Sequence, residues 1–392
     1  MTKGQNKLDL IDDFMIAEIL AMNDEDAVAA AGEADIAASA GIVRRAKLAA
    51  GKKRYEQIQS DLRAARLPAN VVSIDRAKQR AAWSAIVAKD AALIGKLTLA
   101  ARNKTEGEDQ DGILDDLAEL EAFIRPSTPT ATTEVSHPEH VLQELGISEP
   151  NDIDVEVIAW HIGAKVKFRA LSDCEARIVG RANHAVISVD DKKPFERQRF
   201  SVGHELGHWH HHRGRCLICR SEDIGNARQS TAAEKTADLY AADLLLPRYI
   251  FEPFMTSFNT LSVKVLREIK ANFCVSLTAA ALRAIDISAF PAMIVCHNQA
   301  GRRWFKPSPL IPSRWFPRNE LDPESFAFDM LFGCARETPH PRRVKADKWF
   351  SESDASRYDV QEHSFALPGN EVATLLVLDD EDMLKKERAG IW

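Results

Sequence analysis

Cysteine is scarce: six among 392 residues, which is too few for a disulfide framework. Cys216 and Cys219 form a lone C-x-x-C, and no second pair follows at short spacing. A structural zinc site would need such a second pair, so two partly buried cysteines in a loop is the better reading. Long apolar runs are missing as well, since none comes near the roughly 18 residues that a membrane helix needs. The N-terminus, MTKGQNKLDLIDDF, lacks the basic-then-apolar layout of a secretory signal, so a cytoplasmic protein with no membrane partner is expected. There is no strong excess of one charge either: the formal net charge of -7 argues against nucleic-acid binding over the whole surface. No internal repeat recurs at a fixed period.

What is present is the composition of an ordinary globular chain, 45% hydrophobic and 28% charged, long enough for two or three domains. Residues 1–125 read as an Ala-rich helical region with uneven charge. Eleven Lys and Arg fall between Arg44 and Arg80 against three acids, whereas EGEDQDGILDDLAELE carries eight acids and no base. A basic helix could touch phosphate or an acidic partner. Solvated faces, or pairing of these helices with each other, is the favoured reading, because aromatics do not interleave with the bases as single-strand binding requires. Residues 126–138, opening RPSTPTATT, cannot hold a regular element and mark a linker.

The texture then changes. VEVIAWHIGAKVKF begins as a helix, breaks at Gly163 and continues as a strand; ARIVGRANHAVISVD reads as two strands around Gly180 and Asn183. A long helix from Phe195 through His211 and a second from Thr231 to Leu246, stopped by Pro247, complete an α+β domain over 139–250. Residues 251–290 contain a helix, a turn and a second helix with Ser276 as its N-cap. Residues 291–392 form a C-terminal α+β domain, a candidate sensory or regulatory part, with strands in PAMIVCH and EVATLLVLDD.

Chemistry concentrates in His204-Glu205-Leu206-Gly207-His208. Histidines four apart leave one face of a helix, where two neutral imidazoles can grip one Zn²⁺, and Glu205 beside them can accept a proton from the attacking water. A catalytic zinc site needs a third protein ligand. The H-E-x-x-H-x-x-G-x-x-H pattern fails, because its glycine position holds His211 and its last histidine position Gly214. Glu234, 26 residues beyond His208 on the second helix, is the leading third ligand, with Glu222 and Asp223 in the connecting loop as rivals. One turn on, Asp238 could accept a hydrogen bond from a ligand imidazole and fix its tautomer. His210, His211 and His212 are left out of the metal site as solvated or capping residues. Tyr240 and His161 are both candidates for stabilising an oxyanion, and HAVISVD is a candidate edge for an extended peptide. Zinc is the expected metal, with manganese and iron as alternatives.

RQRFSVGHELGHWHHH followed by EKTADLYAADLLLP resembles the ImmA/IrrE family of metallopeptidases, whose pattern joins R-x-R-F-[ST]-x-x-H-E-x-x-H to E-x-x-A-x-x-[FY]-A-x-x-L-L-x-P. The resemblance covers about residues 145–290. It implies a small zincin-like domain, a few-stranded sheet packed on two long helices, followed by a helix-turn-helix-like segment. It also implies zinc on His204, His208 and Glu234, Glu205 as general base, and cleavage of a protein partner, typically a helix-turn-helix repressor. Family members often carry Asn where this chain has Asp238, and neither the helical N-terminal region nor the C-terminal domain belongs to the minimal pattern. The competing class is a non-catalytic DNA-binding or antitoxin-like regulator. Direct nucleic-acid binding is disfavoured for the helix-turn-helix-like segment, because SLTAAALRAIDIS offers only Arg283 as a long basic side chain.

Overall fold

Capping, breakers and alternation set the local elements, and a computed structural model shows how they assemble. It describes residues 33–66, 97–100, 108–123, 137–171, 174–213, 216–217, 232–287, 290–333 and 335–385. These divide into two units. The first runs up to Lys192 and resumes over Val202–Tyr240; the second takes Lys193–Ser201 and everything from Ala241 on. Each contains helices and a five-stranded sheet, so the described residues are α+β.

In chain order the first unit contains α1 (Glu33–Arg66), β1 (Leu97–Ala100), α2 (Glu108–Phe123), α3 (Pro138–Glu144), α4 (Val155–His161), β2 (Ala164–Arg169), β3 (Ala176–Arg181) and β4 (His184–Asp190). Most of α5 (Phe195–His211), then β5 (Cys216–Leu217) and the start of α6 (Ala232–Leu245), follow. The strand order is β2-β4-β3-β1-β5, with β2 parallel to β4, β5 parallel to β1 and the other pairs antiparallel. Asp154 caps α4 by accepting from the backbone N–H of Glu156 and Val157. Gly163, with φ 83°, then turns the chain into β2.

Several expectations need correction. The region read as helical up to residue 125 contributes a strand, β1, to this sheet, and α2 packs on β3 and β4. The tight turn between β3 and β4 falls at Ala182 and Asn183, with Ala182 at φ 54°, whereas Gly180 lies inside β3. Gly180 is there because the Trp209 ring occupies the space a side chain would need. HAVISVD is not an edge: β4 has β2 on one side and β3 on the other. Its near-continuous burial is what a strand with two neighbours and a covered face requires. The edge next to it is β2.

Two acids of α2, Asp116 and Glu119, pair with bases of the sheet. Buried Asp116 accepts from Arg177 Nε at 2.5 Å and Ser188 Oγ at 2.8 Å, and also pairs with the Arg169 guanidinium. Glu119 accepts from Lys165 Nζ at 2.6 Å and Lys167 Nζ at 2.9 Å. The apolar side of α2, Leu117, Leu120 and Phe123, closes over Val179 and Val186. α1 instead docks on α3 and α4. A β-carbon on Gly51 would stand 2.8 Å from the carbonyl carbon of Leu145, so only glycine allows this approach. Residues 67–96, the linker over 126–136, Cys219, Glu222 and Asp223 lie outside the described residues.

The second unit continues with α7 (Arg248–Met255), α8 (Val263–Phe273) and α9 (Leu277–Ile287). Then come β6 (Ala292–Asn298), β7 (Gly301–Pro307), α10 (Phe326–Phe332), β8 (Arg342–Lys345), β9 (Asp359–Leu367), β10 (Glu371–Val377) and α11 (Glu381–Leu384). Cys274 ends α8 in the left-handed region at φ 52°, and Ser276 Oγ accepts from Ala279 N–H at 3.1 Å at the start of α9. The sheet is antiparallel, in the order β7-β6-β10-β9-β8. Trp315, Trp349 and Phe350 fill one core with Met293, Val295 and Leu376. α8 packs on β9, and α9 on β6 and β7. Among the described residues no helix is long and apolar enough to cross a membrane.

Candidate metal centre

The face that α5 presents follows from its periodicity. Val202, Leu206 and Trp209 recur at helical spacing and are buried. Trp209 donates its Nε1–H to the Ile162 carbonyl at 3.3 Å and covers Gly180, which ties the helix to the sheet. Gly207 opens a different flank: a β-carbon there would stand 2.8 Å from Ala237 Cα and 3.0 Å from Tyr240 Cβ. α6 therefore approaches to backbone contact beside His204 and His208. Glu234, in the first turn of α6, gains from the helix N-terminus as an acid and is carried to the two imidazoles by that approach.

Three donors meet there. His204 Nε2 lies 3.0 Å from His208 Nε2 and 3.2 Å from Glu234 Oε2, and His208 Nε2 lies 3.4 Å from Glu234 Oε1. All three residues are buried, and their ligand atoms lie within 4.8 Å of one another. Donors about 2.0–2.2 Å from one tetrahedral cation stand roughly 3.3–3.5 Å apart. The triangle made by these residues thus has edges of about the right size, with the nitrogen and oxygen donors a divalent zinc accepts.

The outer contacts fix the imidazoles. His204 Nδ1 meets Asp238 Oδ1 at 3.0 Å, which leaves Nε2 to face the other donors. His208 Nδ1 meets His212 Nδ1 at 3.3 Å. His212 was not singled out from the sequence, although the signal was available. It is the one member of the histidine run four residues after His208, and its N–H still bonds to the His208 carbonyl at 2.9 Å. His210 and His211 turn elsewhere, with ring centroids 5.1 and 6.0 Å from that of Tyr240.

The electrostatics favour a cation. Burial opposes charge on the His204 imidazole, but the carboxylates of Asp238, Glu234 and Glu205 overcome it and hold its pKa at about 9. Burial pushes the Glu205 carboxyl above its ordinary value, and the nearby charge of Glu234 adds to this. Glu205 Oε2 is buried and accepts no hydrogen bond among the described residues, so one oxygen is open to a proton donor. Of the two oxyanion candidates, Tyr240 is buried against His210 and His211, and burial raises its pKa. His161 pairs with Glu144 at 3.4 Å. The geometry gathers neither of them into the cluster of donors.

His204, His208 and Glu234 thus form a buried cluster, on two helices beside a mixed sheet, that could hold a metal ion. Residues 158–284 match the family model of the peptidase M78, IrrE N-terminal-like domain, and the chain carries an ImmA/IrrE-type domain. No curated protein matches the sequence. Among solved structures, a Mycobacterium tuberculosis transcriptional regulator aligns at 14% identity and a TM-score of 0.41, over 70% of this chain and 97% of its own. At that score the likeness carries no functional argument.

Proposed function

We propose that this protein is a zinc-dependent endopeptidase of protein partners, with His204, His208 and Glu234 as the metal ligands and Glu205 as the general base. The carrying observation is the meeting of three buried donors at edges of 3.0, 3.2 and 3.4 Å next to a buried carboxylate with one free oxygen. Bound there, zinc supplies Lewis acidity toward a carbonyl oxygen and toward water. Glu205 takes a proton from the water as its oxygen attacks the scissile carbonyl carbon. Its raised pKa suits the return of that proton to the amine nitrogen as the C–N bond breaks. Asp238 holds His204 by its Nδ1, and His212 does the same for His208.

By resemblance, the substrate class is a helix-turn-helix repressor and the domain is zincin-like, followed by a helix-turn-helix-like pair, α8 and α9. The non-catalytic, DNA-binding alternative rests on α9 as a reading helix. Against it, Arg283 Nε donates to the Leu246 carbonyl at 2.8 Å and its NH1 pairs with Asp243 at 2.8 Å. The single long base of α9 is thereby committed within the second unit.

Elemental analysis of the purified protein, with His208→Ala and Glu234→Ala beside wild type, tests the site. About one zinc per chain is expected in wild type and little in either variant. Glu205→Gln should keep its zinc and lose turnover of a trapped partner by at least about 10²-fold. Wild type that stays metal-free after dialysis against zinc would overturn the proposal and favour the regulator.

A further inference from the structure

The long basic helix is not absorbed by the site. Over residues 40–65 of α1, seven bases (Arg44, Arg45, Lys47, Lys52, Lys53, Arg54 and Arg63) face two acids, Glu56 and Asp61, and all seven are exposed. Of the α2 acids, Asp116 and Glu119 are taken by Arg169, Arg177, Lys165 and Lys167 of the sheet. Among the described residues Arg44, Arg45, Lys47, Lys52 and Lys53 have no carboxylate partner. The helix is nevertheless fixed. Gly51 seats it against Leu145 and Gly146, Arg54 donates to the Glu144 carbonyl at 3.4 Å, and Ile58 is buried. Residues 47–50, just before this seam, are all exposed.

From this we infer that the segment Arg44–Lys53 of α1 docks on the phosphates of double-stranded DNA. Five cations held on a fixed element match a dense array of phosphates. At 100° per residue they leave the helix on several flanks: Arg44 and Lys47 on one, Arg45 and Lys52 on the next, Lys53 on a third. Ala46, Ala49 and Ala50 keep the rod thin between them. Gly51 packs one flank of the segment against Leu145 and Gly146, so the long side chains reach rows of phosphates at the rim of a duplex groove without the helix entering it. A membrane surface is a poor match, because exposed Ile42 and Leu48 leave on different flanks and make no apolar face. A single strand would need stacking aromatics, and Tyr55, the one aromatic in the helix, is engaged in contacts of its own.

The test uses the full chain and a fluorescein-labelled duplex of roughly 24 base pairs, followed by anisotropy between about 50 and 200 mM salt. Wild type should bind in the micromolar range, and affinity should fall about 10²–10³-fold across that salt range, as expected for four to five phosphate contacts. Replacing Arg44, Arg45, Lys47, Lys52 and Lys53 by Ala, which preserves helix propensity, should remove binding and leave circular dichroism and zinc content unchanged. The double variant Lys52→Ala/Lys53→Ala should lower the log–log salt slope by about 2, which keeps the test decisive if the fivefold variant does not fold. No binding by wild type, an unchanged slope in the double variant, or equal affinity for phosphatidylserine vesicles or polyglutamate would overturn the inference.

Discussion

At the scale of single residues, the proposed ligand His204 is held by Asp238. Its oxygen fixes the Nδ1–H, and its charge raises the basicity of Nε2. Asp238→Ala is expected to weaken zinc binding about 10- to 100-fold, measured by competition with a chromogenic chelator. Asp238→Asn should lose less, since an amide oxygen still accepts from Nδ1–H. Equal affinity in both variants and wild type would reduce Asp238 to a surface acid. The shared face of His204 and His208 was legible from spacing alone, because a helix converts a separation of four into one face. His212 obeys the same rule, but its spacing does not say which ring nitrogen of His208 it meets. Its selection depends on Nδ1 of His208 being turned toward it.

At the scale of elements, the junction of α2 with the sheet is electrostatic as well as apolar. Burial would raise the Glu119 pKa, but hydrogen bonds from Lys165 and Lys167 outweigh it and lower the value from about 4.5 to about 2. A depressed carboxyl pKa stabilises the fold above its unfolded value, and that contribution is lost as pH falls from about 4.5 toward 2. Glu119→Gln should therefore lower stability at pH 7 by about 1 kcal/mol, a figure discounted for the partial exposure of the pair. The gap from wild type should narrow on titration to pH 3, as followed by urea unfolding. A constant gap across that range would mean that the loss is one of packing. The eight-acid segment was visible in the sequence, but not its partners. The bases of β2 and β3 are paired with it only once the chain has closed 46 or more residues.

At the scale of the whole molecule, two units with separate cores imply separable responses to a ligand of one of them. His204, His208 and Glu234 all belong to the first unit. A metal that binds only the folded form stabilises it by about 4 kcal/mol when present at a thousandfold its Kd. Calorimetry should accordingly show EDTA lowering one unfolding transition and leaving the second near its original temperature. A uniform shift of the entire profile would show that the units unfold together.

The sequence by itself determined the elements that local rules govern. Helix spacing aligned His204 with His208, Gly163 separated α4 from β2, and Ser276 capped α9. Strands β3 and β4 were marked by their β-branched runs. Tertiary structure decided whatever depends on which surfaces meet. The approach of α6 at Gly207 brought Glu234 to the imidazoles, and the insertion of β4 between β2 and β3 removed the edge expected of it. Asp116 and Glu119 of α2 found their partners on β2 and β3 of the sheet. These contacts join residues far apart in the chain, and their free energy comes from close packing and desolvated charge that no local pattern encodes.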